Sequence, residues 1–236
     1  NPKGFWEDID LNALNNEMLL AVNEDWDSLS PLEMVKVDSL RKQFLTRAVE
    51  LLRKKISGIE IFGFKDPRIT KLLPFWKEVF SICQLNVSYV LAVRHPMSVV
   101  RSLAKRDGFD GEKSYLLWLG HVIAGLSFTA SEKRILIDYD RLMESPYHEL
   151  CRLAEFLRLE IDTAEFQEYT AGFLDKELRH TVFDTDELRR DPACPPLVSE
   201  IYATYSKIAS DEIPIDDVDL QKNVARWADE FVRIKL

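Results

Sequence analysis

The sequence is poor in the residues that anchor many functional sites. It holds three cysteines, Cys83, Cys151 and Cys194, widely spaced and without a Cys-x-x-Cys pair. Such usage argues against a structural zinc site and a disulfide framework, and fits a reducing compartment. The four histidines, His95, His121, His148 and His180, are scattered and lack an evident Ser or Cys partner, so no metal-ligand cluster or nucleophile–base pair emerges. None of the eight glycines belongs to a phosphate-cradling loop. Gly111-Glu-Lys-Ser114 has the ending of a P-loop but neither its upstream glycine nor a preceding strand. The longest apolar stretch, Leu116 to Phe128, contains His121 and falls short of the ~20 residues that a membrane helix needs. No signal peptide, internal repeat or low-complexity tract is visible, and a cytoplasmic protein without a membrane span is expected. Positive charge is also in deficit: Lys and Arg number 31 against 40 Asp and Glu, a net charge of −9. That balance excludes a general nucleic-acid binder.

What remains is ordinary globular material: 236 residues, 46 % hydrophobic and 30 % charged. The charge is unevenly spread. Between Arg41 and Lys113 lie 15 Lys and Arg against 7 Asp and Glu. A basic middle in an acidic chain suggests a site for a compact polyanion, although a solvated helix face from Arg41 to Lys55 accounts for part of it equally well.

The elements can be read from periodicity and punctuation. Ser30-Pro31-Leu32-Glu33 has the form of a capping box, and Leu32, Val35, Leu40, Phe44, Ala48, Leu51, Leu52 and Ile56 then recur at helical spacing until Ser57-Gly58. Ile59–Phe64 is an apolar run of strand length, Phe75–Ile82 reads as helix and Val87–Val93 as a buried strand. A helix is expected from Pro96 to about Arg106, ended by Asp107-Gly108, and another from Lys113 to Ala130. Arg134–Asp138 reads as a third strand, and Ser145-Pro146 opens a further helix. Strands alternating with helices predict an α/β fold, with a parallel sheet flanked by helices. The tail from Leu159 reads as helical pieces broken at Pro192–Pro196. One domain spanning residues 1–236 is expected, with its core over about 1–157 and a helical C-terminal extension over about 158–236.

Ligands of open α/β sheets bind beyond the carboxyl ends of the strands. The three expected strands are followed by Lys65-Asp66-Pro67-Arg68, by Arg94-His95-Pro96, and by Tyr139-Asp140. The helix after the second carries Ser102 and Arg106, four apart and therefore on one face. An arginine at a strand end, a hydroxyl and a second arginine make a plausible phosphate cradle, but capping or surface ion pairing would equally use such residues.

These residues resemble a family. Phe62-Gly-Phe-Lys-Asp-Pro-Arg68 and Val90-Leu-Ala-Val-Arg-His-Pro-Met-Ser-Val-Val-Arg-Ser-Leu103 are similar to the core of sulfotransferases that use 3′-phosphoadenosine 5′-phosphosulfate (PAPS). Bacterial members of the branch related to carbohydrate and tyrosylprotein sulfotransferases are the nearest. Asn1-Pro-Lys-Gly-Phe-Trp-Glu7 and Ile137-Asp-Tyr-Asp-Arg-Leu142 also match stretches typical of that group. The resemblance implies a P-loop-NTPase-like sheet and transfer of a sulfuryl group from PAPS to a hydroxyl of a glycan, lipid or small-molecule acceptor. No metal is required. It also implies residue roles. Arg94 and Ser102 match the pair that binds the 3′-phosphate, Arg106 a further phosphate contact and Tyr139 a tyrosine near the donor. Lys65 matches a lysine near the transferring group, and Glu7 the glutamate that takes the acceptor proton. The family's donor-phosphate loop, of the type Gly-x-x-Arg-Ser-Gly-Thr, would lie upstream of Asn1, so the sequence is expected to be part of a longer chain. A P-loop kinase-like phosphotransferase and a non-catalytic nucleotide-binding domain are the alternatives. Trp6 and Phe5 are suited either to stacking an acceptor sugar or to packing in the core.

Overall fold

A computed structural model describes residues 6–29, 32–174, 183 and 185–234. The chain is α/β and mostly helical, and it divides into two compact units, Asn1–Val87 and Ser88–Leu236. No described helix is long and apolar enough to cross a membrane.

The first unit contains α1 (Ile9–Ala21), α2 (Met34–Ile56) and α3 (Ile69–Ile82). Asp8 caps α1, its carboxylate accepting from the Asp10 and Leu11 amides at 3.1 Å. Of the capping box expected at α2, Ser30 and Pro31 lie outside the described residues, while Leu32 and Glu33 precede the helix and Glu33 makes no side-chain capping bond, so the expected earlier start is corrected. The helix itself begins at Met34 and gives way at Ser57 and Gly58, whose φ of 73° suits only glycine well. Leu11, Leu14, Met18, Leu40, Leu52, Leu72, Phe75 and Trp76 are buried and form this unit's core.

Ile59–Phe64 is not a strand. The segment runs extended without a ladder partner among the described residues. Its alternation is nevertheless real: Phe62 and Phe64 share one side, with ring centroids 5.8 Å apart, and Phe64 lies 6.0 Å from Trp76 and 6.4 Å from Phe80. Ile59 and Ile61, on the other side, are exposed. Packing against α3 imposes the same period of two that a sheet would.

The second unit holds the two-stranded parallel sheet, β1 (Tyr89–Val93) and β2 (Arg134–Asp138), in register from Tyr89↔Arg134 to Val93↔Asp138. The crossover consists of α4 (Pro96–Asp107) and α5 (Gly111–Phe128). Pro96 opens α4, and Gly108 ends it in the left-handed conformation at φ 70°. Every residue of β2 is buried, whereas Val90 and Ala92 of β1 are exposed. After β2 come α6 (Tyr139–Glu144), α7 (Pro146–Leu157), α8 (Thr163–Glu168), a π-helical turn (Tyr169–Phe173), α9 (Thr185–Arg190), α10 (Pro196–Ala209) and α11 (Val218–Ile234). Arg134 fastens β2 to its surroundings. Its buried guanidinium donates to the Leu126 and Ile215 carbonyls at 2.8 Å, and to Thr129 Oγ1 and Asp216 Oδ1 at 3.3 Å.

Candidate functional site

The basic stretch is neutralised in part where α2 carries it. Arg41 pairs with Asp38 and with Glu78 (2.5 Å), Arg47 with Glu17, and Lys55 with Asp8 (2.8 Å) and Asp10 (2.6 Å). Part of the positive balance of that helix is therefore ion-paired.

Arg94 differs. The in-register pair Val93↔Asp138 ends both strands, so Arg94 and Tyr139 emerge side by side at their carboxyl ends. The Arg94 guanidinium sits 4.8 Å from the centroid of the Tyr139 ring. It forms no ion pair among the described residues, and its Nε is buried without a hydrogen-bond acceptor. The backbone at this point is fixed twice. Trp118 Nε1 donates to the Arg94 carbonyl at 3.2 Å, and His95 Nδ1 accepts from the Met97 amide at 3.2 Å as the cap of α4. His95 is thus a turn-fixing residue. Asp138 plays the same part for α6, accepting from the amides of Asp140 (2.8 Å) and Arg141 (3.0 Å) and so setting Tyr139 at the first helical position. Burial holds the Asp138 carboxyl above the usual range, with Asp140 adding to the effect.

Ser102 and Arg106 lie exposed on α4, one turn apart. The Ser102 hydroxyl makes no hydrogen bond among the described residues, to Arg94 or otherwise. Arg106 is turned to its neighbour Asp107, with Nη2 to Oδ2 at 2.8 Å. Gly111, the start of the P-loop-like tetrapeptide, merely begins α5, whose N-terminus is capped by Asp110. No family model, curated protein or solved structure matches the chain.

Sequence reasoning passed over Tyr169 in the π-helical turn of the same unit. Its hydroxyl is pushed above the ordinary tyrosine range by burial and, second, by the nearby Tyr139. Nothing in the local sequence announces it, because a π turn has no strong composition signal.

In the first unit the structure brings together Glu7 and Lys65. Lys65 Nζ donates to Glu7 Oε1 at 3.0 Å, with the lysine side chain 55 % exposed and the glutamate 17 %. Glu7 Oε2 accepts from Asn12 Nδ2 at 2.6 Å and lies 3.5 Å from Arg68 Nη1. Both oxygens of the carboxylate thus have donors. The turn after Lys65 is fixed by Asp66, whose Oδ1 accepts from the Arg68 amide at 2.9 Å, and by Pro67, which restricts the backbone of Asp66. Trp6 is exposed, and Phe5 lies outside the described residues, as does His180. No His, Cys, Asp or Glu group among the described residues has a metal-binding arrangement.

Proposed function

We propose that the chain carries a nucleotide-dependent sulfotransferase activity, with PAPS as donor and a hydroxyl compound as acceptor, on a P-loop-NTPase-like sheet of which β1 and β2 are part. The observation that carries this reading is Arg94. A half-buried guanidinium without a counter-ion among the described residues suits a visiting anion, and this one stands on an aromatic ring where strand ends present ligands. The orphaned Nε and the adjacent Tyr139 ring fit a phosphate attached to a nucleoside. The 3′-phosphate is the group assigned to Arg94, with Ser102 as a second donor and Tyr139 against the rest of the nucleotide. Arg106 would join only by leaving Asp107.

The donor supplies the sulfuryl group: the acceptor oxygen bonds to sulfur as the bond from sulfur to the 5′-phosphate oxygen breaks, and 3′,5′-ADP leaves. Within the first unit, Lys65 provides a compact charge for oxygens that become more negative during transfer, and Glu7 provides the carboxylate that accepts the proton of the acceptor hydroxyl. Transfer of this type asks the protein chiefly for positioning and charge stabilisation. Titration calorimetry with 3′,5′-ADP and with 5′-AMP tests the reading. A charge-assisted contact of about 1.5–3 kcal/mol should make 3′,5′-ADP bind roughly 10- to 150-fold more tightly. Equal affinities remove the assignment. Tight binding of 3′,5′-ADP without sulfuryl transfer to any alcohol supports the non-catalytic nucleotide-binding alternative.

A further inference from the structure

Helix α1 contains three asparagines, Asn12, Asn15 and Asn16, within 13 residues. Asparagine is a poor helix former, and a cluster of it on one helix is a local conflict that packing alone does not require. The structure gives each one a task. Asn16 Nδ2 donates to Asn12 Oδ1 at 3.0 Å, and Asn12 in turn holds Glu7. Asn15 is fully buried and reaches Asp66.

The amide of Asn15 has only one workable orientation. Trp76 Nε1, which can only donate, gives its hydrogen bond to Asn15 Oδ1 at 2.8 Å. Nδ2 is therefore aimed at Asp66 Oδ2, 2.9 Å away. The other Asp66 oxygen accepts from both the amide and Nη1 of Arg68, each at 2.9 Å. The same Nη1 lies 3.5 Å from Glu7 Oε2. A continuous chain of donors and acceptors thus runs from a fully buried indole, through Asn15, Asp66 and Arg68, to Glu7 and the half-exposed Lys65. Its dry end is fully buried and its wet end faces solvent.

We propose that Asn15 is a positioning residue for the Glu7–Lys65 pair, acting through Asp66 and Arg68. The inference rests on the sulfotransferase reading for its functional meaning. Lys65 is the exposed member, so it is the one that can turn from Glu7 to an incoming anion. Glu7 then keeps two partners, Asn12 and Arg68, and stays oriented for its proton. Asp66 holds Arg68 through Oδ1, and Asn15, by occupying Oδ2, fixes the plane of that carboxylate.

Asn15→Asp tests the proposal in the full chain. An aspartate has nearly the same shape, accepts from Trp76, and donates to Asp66 only when protonated. At neutral pH the variant should lose about 10- to 100-fold in kcat, as expected for misplacement by a fraction of an ångström, with unchanged affinity for 3′,5′-ADP. Activity should return towards wild type as the pH is lowered, whereas a merely structural residue would shift stability and leave kcat per folded molecule unaltered. In combination with Asp66→Asn the losses should be non-additive, because both act through one chain. Additive losses, or a pH profile identical to wild type, overturn the proposal.

A second readout needs no turnover and separates this inference from the reading beneath it. The rate at which Lys65 is modified by an amine reagent, followed by mass spectrometry, reports its pairing with Glu7. Asn15→Asp should change that rate relative to Lys222, and Asn15→Ser, the milder variant, should do so to a lesser degree. An unchanged Lys65 rate in both variants refutes the positioning role even if nucleotide binding behaves as proposed. A changed rate in a protein that does not distinguish 3′,5′-ADP from 5′-AMP upholds the positioning role and refutes the sulfotransferase reading.

Discussion

Replacing Lys65 by methionine keeps the length of the side chain and deletes its charge, and the structure sets the scale of both possible consequences. The ion pair with Glu7 is 3.0 Å long but 55 % exposed on the lysine side. Exposed pairs contribute about 0–1 kcal/mol to stability. Glu7 also retains Asn12 and Arg68, so it is not stranded by the substitution. The thermal midpoint of the first unit should therefore fall by no more than about 8 °C, since each kcal/mol shifts a domain of 60–100 residues by roughly 4–8 °C. Removal of a single charge-stabilising donor from a transfer site costs far more in rate, about 10²–10³ in turnover. The assay measures scanning calorimetry and single-turnover transfer on one preparation, so that rate is expressed per folded molecule. A midpoint drop beyond that limit, with turnover within about threefold of wild type, would refute the mechanistic role and leave Lys65 a structural residue.

Three further expectations follow from geometry already described. Arg94→Met should weaken 3′,5′-ADP binding by about 1.5–3 kcal/mol in calorimetry, and Ser102→Ala by less, while both variants keep near-wild-type stability. A loss of stability without a loss of affinity would contradict the anion role. Arg134→Met should cost about 2–4 kcal/mol in urea denaturation, because the Leu126 and Ile215 carbonyls lose their buried donor; a cost below about 1 kcal/mol would show that water replaces the guanidinium. Asp138→Asn keeps a capping oxygen but no longer titrates. Because burial raises the Asp138 carboxyl above 3.8, the folded state binds its proton more tightly than the unfolded chain does, so wild type loses stability as pH rises through the raised value. The variant should gain on wild type over that rise and show no such gain below the ordinary value, and a pH-independent difference would refute the argument.

How much of this was legible beforehand depends on whether the information is local. The bounds of β2 and of α4 are written in adjacent residues, through Pro96, Gly108 and an apolar run between polar flanks. The residues at the strand ends could be named for the same reason. Ile59–Phe64 misled because alternation records which side is covered, not whether the cover is a strand or a helix. Helix α1 went unread because its asparagines blur the apolar period, and they do so in the service of Glu7 and Asp66. The contact between Glu7 and Lys65, 58 positions apart, has no local signature at all. Neither does the position of Arg94 on the Tyr139 ring, 45 residues away, without an ion-pair partner among the described residues.

The parallel pairing of β1 with β2 also has a kinetic side. A hairpin can close around two residues, but this ladder requires the chain to return across the whole segment that holds α4 and α5, since both lie in the crossover between Tyr89 and Arg134. The entropy of closing so long a loop must be met before the first strand hydrogen bond repays it. The Arg134 bonds to Leu126 and Ile215 then belong to the late part of folding, and their removal should act mainly by hastening unfolding. During the interval before pairing, β2, whose native environment is wholly buried, is an apolar strand in search of a neighbour. Nascent chains are therefore expected to be most prone to association while residues 134–138 are made but not yet paired, and slower synthesis or lower temperature during expression is the natural remedy.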